Sequence, residues 1–156
     1  MLPGPRNIWL DPDEIDITVR REAWQMIADR FDRIIDDFYE TILGSHHADL
    51  LDGFDITRLK ANQKSHWERL FLEKAADNVG YLARMARMYV RHRDIGLDNT
   101  NYISAYIFLL GAFHRAVLQG AKGPRRAHEL ISAINAIVAG DIARAMESGD
   151  GRHFID

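Results

Sequence analysis

Apolar positions along the chain recur every three or four residues, the spacing at which side chains share one face of an α-helix, and period-2 alternation is absent. Between Asp16 and Leu43, Trp24, Ile27, Phe31, Ile34, Ile35, Phe38 and Ile42 trace such a face. This predicts two helices, or one bent helix, ending at Gly44. Ser45 to Gly53 reads as a short helix or turn. Asp55 or Thr57 is placed to cap a helix from about Ile56 to Glu73 that presents Leu59, Gln63, His66, Trp67, Leu70 and Phe71. Asp77 or Asn78 opens another, running to about Ile95 and stopped by Gly96, and Asp98 or Asn99 caps a long helix through Gly120. Gly123-Pro124 starts the last, because proline suits the first helical turn. That helix carries Leu130, Ile131, Ile134, Ile137, Val138, Ile142 and Met146 and ends near Gly149. Prolines stand only at positions 3, 5, 12 and 124, so none interrupts these segments. The pattern predicts an all-α domain of six to eight helices, too uneven in length for a plain four-helix bundle.

Composition narrows what such a domain does. The chain of 156 residues is the size of one domain, divided as an N-terminal extension (1–15), a helical body (16–149) and a C-terminal tail (150–156). Its 20 basic and 23 acidic residues give a formal charge of −3, which offers no reason to expect nucleic acid or an anionic membrane as partner. The absence of cysteine excludes disulfides, thiolate metal sites and cysteine nucleophiles. Met1 to Leu10, with Pro3 and Pro5, does not have the form of a signal peptide, and no stretch approaches the roughly 18 apolar residues of a membrane span. A cytoplasmic protein is expected. Phosphate-binding glycine loops, a nucleophile elbow and the H-E-x-x-H zinc motif are all missing.

The seven histidines are then the residues to weigh. His46, His47, His128 and His153 fall at polar or terminal positions, and His114 lies on the long helix after Phe113, where a partly buried interface role is as open as any other. His92 stands near a helix end, four residues after Met88 and just before Ile95-Gly96-Leu97, with Met85 and Tyr89 nearby. From these surroundings alone it is either a satisfied core histidine or a ligand.

The segment Tyr81 to Leu97, followed by Tyr102 and Ala105-Tyr106, resembles the proximal region of the globin-coupled sensor family. There a helix ends in His-x-x-Ile-Gly-Leu, here His92 to Leu97, and an aromatic residue, here Tyr102, follows ten positions later. Three more blocks are similar in order: Asp37-Phe38-Tyr39, the run Arg58 to Phe71, and Asp141 to Glu147. The resemblance covers residues 17 to 147. One departure is the bulky Met88-Tyr89 pair, where the family commonly has Ile-Gly.

The resemblance implies a globin-like fold holding haem b, with His92 as the proximal iron ligand and Tyr102 supplying its hydrogen-bonding contact. It implies Phe38 and Leu59 as apolar walls, Tyr39 as donor to a bound gas, Asn62 and Gln63 as further distal contacts, and Met88 and Ile95 as proximal packing. His66 is a weaker candidate for a sixth ligand. The implied role is a sensor of O2, and of CO and NO, rather than an enzyme; any catalytic output would reside in a separate C-terminal module. The last two helices would pair with a second copy in a four-helix interface built from Ala105, Phe108, Leu109, Ala112, Phe113, Ile134, Ile137 and Val138. The competing expectation is a haem-free globin-fold adaptor or a binder of apolar ligands.

Overall fold

The computed structural model describes residues 11–74 and 80–149. The predicted caps Asp77 and Asn78, the first ten residues of the N-terminal extension and the C-terminal tail lie outside the described residues. The elements are a 3₁₀ turn (Pro12–Glu14), α1 (Ile17–Ala28), α2 (Phe31–Leu43), a second 3₁₀ turn (Ala48–Leu51), α3 (Ile56–Leu72), α4 (Tyr81–Asp94), α5 (Asn99–Gly120) and α6 (Pro124–Gly149). The fold is all-α, with six helices and no strand among the described residues.

The starts follow the local chemistry expected of them. Asp16, Asp55 and Asp98 each sit at an N-cap and accept a backbone N–H of the first turn of α1, α3 and α5. Pro124 occupies the first position of α6. The run from Asp16 to Leu43 is two helices, separated at Asp29–Arg30. This break brings Phe31 fully into the core, with its ring 5.8 Å from that of Trp24. The core is aromatic at its centre, where Trp67 and Phe113 meet edge-on at 5.2 Å and Phe71 packs on both Trp24 and Phe113. Burying each such ring removes a large apolar area from water, so the cluster is a main source of stability.

Helices α1, α5 and α6 form the body; α2 and α3 pack on one side, and α4 packs chiefly on α6. The segment from Asp11 to Ile15 joins this body rather than extending from it. Pro12 is buried against Gly140, where any Cβ would come within 2.9 Å of the proline ring, so α6 needs glycine there. Arg20, on the apolar face of α1, is buried and donates to the carbonyls of Leu70, Phe71 and Glu73. It thereby satisfies the carbonyls that the end of α3 leaves without helical partners.

One expectation is corrected. Leu109, Ala112, Phe113, Ile134, Ile137 and Val138 are buried within this single chain, and Ala105 and Phe108 pack against its core. None of the six is free to build an interface between copies. The outward stripe of α5 is different: Ile103, Ile107 and Leu118, one to three turns apart, are exposed, Ile107 to 54% and Leu118 to 63%.

Candidate functional site

The His-x-x-Ile-Gly-Leu run has a mechanical explanation. Gly96 adopts φ 93°, the left-handed region that favours glycine, and ends α4. Leu97 N–H then bonds back to the His92 carbonyl and Gly96 N–H to the Arg93 carbonyl, at 3.0 Å each. This is the Schellman arrangement, with glycine at C′ and His92 three positions inside the cap. The motif therefore fixes His92 in the last turn of a firmly closed helix.

Its ring is held as well. His92 Nδ1 lies 2.6 Å from the Met88 carbonyl oxygen, and since a carbonyl only accepts, Nδ1 carries the proton. Nε2 keeps its lone pair and has no protein partner among the described residues. Burial lowers the pKa of the ring, against the opposing effect of the Met88 bond, so it is neutral near pH 7. Tyr102 meets the ring edge-on at 5.2 Å. The expected hydrogen bond from Tyr102 to His92 is absent: the Tyr102 hydroxyl pairs with that of Tyr106 at 3.3 Å, and the Met88 carbonyl, one turn back, orients the imidazole instead. The bulk of Tyr89 is turned onto α5, where its ring packs on Tyr102 and its hydroxyl donates to Asn99 at 2.6 Å. Met88 is half-buried beside the core, and Ile95 is the exposed C-cap of α4.

Phe38 and Tyr39 are buried on α2, their rings edge-on at 5.1 Å, and Phe38 also packs on Phe108. Leu59 is half-buried against the same core. Burial raises the Tyr39 pKa, the neighbouring Gln63 amide offsets part of that, and its hydroxyl is protonated at neutral pH. The Gln63 oxygen accepts the indole N–H of Trp67 at 3.1 Å. The structure thus joins Gln63 and Trp67, with Tyr39 in their neighbourhood. Asn62 is exposed and is not drawn into that group.

His66 is occupied elsewhere. Its Nε2 donates to Asp141 Oδ2 at 3.0 Å, which removes it as a candidate iron ligand. Asp141, on α6, is fully buried. It also accepts from the hydroxyls of Tyr106, at 2.9 Å, and Tyr81. One carboxylate therefore ties α3, α4 and α5 to α6. Burial pushes its pKa up, but the charge and hydrogen bond of His66 and the two tyrosine hydroxyls outweigh this and hold it below the usual carboxylate value. Arg144 sits over the Tyr81 ring at 5.5 Å. The expected site residues omitted Asp141 as a node and Arg20 as a cap. Both carry one readable signal, a charged residue on the apolar stripe of a helix.

Among the described residues no group of three or more His, Asp or Glu side chains is arranged to hold a bare metal ion. A single neutral imidazole with one tethered nitrogen and one unpartnered nitrogen is the donor set that suits an iron already held by a porphyrin. Together with the apolar Phe38, Leu59 and Met88, it fits haem. No helix among the described residues is long and apolar enough to cross a membrane.

A helical domain with this histidine and these walls is a globin-like haem-binding domain. The family model described as Protoglobin matches residues 8–148, and the chain belongs to that family. Membership implies haem binding and, with it, binding of a diatomic gas. No curated protein matches the chain significantly.

Proposed function

We propose that this domain is a haem-based gas sensor that binds O2, and also CO and NO, with His92 as the proximal ligand. His92 would hold haem b, which when bound would supply the iron for gas binding. The observation that carries the proposal is the His92 ring, neutral, tethered through Nδ1 to Met88 and unpartnered at Nε2. Phe38 and Leu59 line the distal side and exclude water, and Tyr39 donates its hydroxyl to the bound gas. No catalytic step is assigned to the domain; a signal passes through α5 and α6 to an output module.

The absorption spectrum of protein expressed with ample haem tests this. A Soret band in the native protein that disappears in His92→Ala is the expected result. A band unchanged in that variant overturns His92, and no haem uptake at all moves the domain to the haem-free adaptor class.

We place a homodimer on the outer face of α5 and α6. Its support is the stripe Ile103, Ile107 and Leu118, exposed and apolar, flanked by the half-buried Ile131 and Ile142 of α6. The His114–Asn135 bond, at 2.6 Å, joins the two helices there. Large apolar side chains left on one face mark an interaction surface. Sedimentation of Ile107→Glu should show monomer where the native protein shows dimer; an unaltered dimer rules this face out.

A further inference from the structure

We infer that the trough between α2 and α5 is a second ligand site, built for a free medium-chain carboxylate. Its volume is about 270 Å³. The floor is apolar: Ile34 from α2, and Phe108, Ala112 and Ala116 from α5. Ala112 and Ala116 lie one turn apart, and their small side chains leave the trough open between the two helices. The rim carries Arg30, Arg33 and Arg115, all exposed, with Asp37 as the one acidic side chain along the trough.

Lys60 reaches Asp36, Lys64 reaches Asp32, and Arg126 reaches Glu22 and Glu129. Arg30, Arg33 and Arg115 have no carboxylate within 4.0 Å among the described residues, Asp37 included, although they converge on one trough. Three guanidinium groups and one carboxylate line the trough, so it carries a net positive charge that attracts an anion. A guanidinium fork matches a carboxylate through two parallel hydrogen bonds. The apolar floor beneath asks for a hydrocarbon attached to that head. The volume lies just below the ≈ 300 Å³ at which small-molecule sites commonly begin, which suits a single alkyl chain and is too small for a two-chain lipid. The occupant is thus an alkyl carboxylate, seated with its head at the rim and its chain along the alanines.

Calorimetric titration of the haem-loaded protein with dodecanoate, below its micelle concentration, tests the inference. One dodecanoate per chain should bind with no loss of the Soret band. Each methylene removed toward octanoate should weaken binding by about fourfold. The double variant Arg33→Gln/Arg115→Gln, both at exposed positions, should fold normally by circular dichroism and lose at least tenfold in affinity. Dodecyltrimethylammonium should fail to compete. The inference is overturned if the double variant binds as tightly as the native chain, if the alkyl cation binds equally well, if acetate binds as tightly as dodecanoate, or if haem is released on binding. Should the protein take up no haem, the same arginine comparison on the haem-free chain still decides, because a fatty chain bound elsewhere in the domain would not respond to Arg33 and Arg115.

Discussion

His92 and Asp141 are both polar groups set among apolar helices, and their conditions are opposite. Asp141 is fully buried and saturated, receiving hydrogen bonds from His66, Tyr81 and Tyr106 on three different helices. His92 spends one nitrogen on the Met88 carbonyl and leaves the other without a protein partner. Asp141, fully buried, must be paired, whereas His92 is only half-buried and its free nitrogen remains within reach of a ligand. The saturated group knits the helices together; the unsaturated one holds ligand-binding capacity in reserve. The difference lies in what each group lacks, since both residue types can serve either purpose.

The largest effect expected from this contrast is on stability. Asp141→Ala leaves two tyrosine hydroxyls and His66 facing a void and should cost about 3–5 kcal/mol by urea unfolding, a large part of the ~5–15 kcal/mol that holds a domain folded. In the haem-free protein His92→Ala removes one hydrogen bond and should cost about 1 kcal/mol. Equal losses at the two positions would break the comparison.

Acid separates the same two groups. Asp141 in the folded chain lies below the ~3.9 of a free aspartate, so its contribution is complete above that pH and is lost as pH falls through the lower folded value. His92 is also lowered, by burial. As pH falls below ~6.5 the unfolded imidazole takes up a proton that the folded one resists, and stability declines until the folded value is passed. The urea midpoint of the haem-free protein should therefore drop in two stages. His92→Ala should flatten the stage that begins near pH 6.5, and Asp141→Asn the one below about pH 4. A variant that leaves its own stage unchanged refutes the assignment for that residue.

A third effect concerns ligand release. Tyr39→Phe removes the one hydroxyl assigned to the bound gas, and O2 dissociation from the haem-loaded protein should accelerate about tenfold, the scale of one lost hydrogen bond. Stopped-flow mixing with dithionite measures it, and an unchanged rate removes Tyr39 from the distal side.

The two regions were unequally legible. Helix positions, the caps at Asp16, Asp55 and Asp98 and the stop at Gly96 follow from local rules, and these set His92 at the end of its helix. What the sequence cannot carry is pairing across helices. His66 and Asp141 are 75 residues apart, and nothing local reports that one neutralises the other's burial. For the same reason the expected interface residues Phe113, Ile134 and Val138 proved to be core: an apolar stripe announces burial without saying whether the cover is the same chain or another. Tyr102 shows the limit at shorter range, since spacing brought its ring to His92 while its hydroxyl turned to Tyr106.

The smallest effect tests how Tyr39 itself is held. An indole N–H can only donate, so the Gln63 atom facing Trp67, 3.1 Å away, is its oxygen. The amide nitrogen is then the group left to face Tyr39, where a donor would draw on the phenol oxygen rather than its hydrogen. That leaves the Tyr39 O–H free for a bound gas. Trp67→Phe removes the anchor and allows the amide to turn over, so that in a fraction of molecules its oxygen captures the Tyr39 hydrogen. O2 dissociation should quicken by about threefold, less than in Tyr39→Phe, because only part of a hydrogen bond is lost. Gln63→Glu makes the capture permanent and should approach the Tyr39→Phe rate. If Gln63→Glu leaves dissociation as slow as in the native protein, Tyr39 does not depend on Gln63 for its orientation, and the distal side works through the hydroxyl alone.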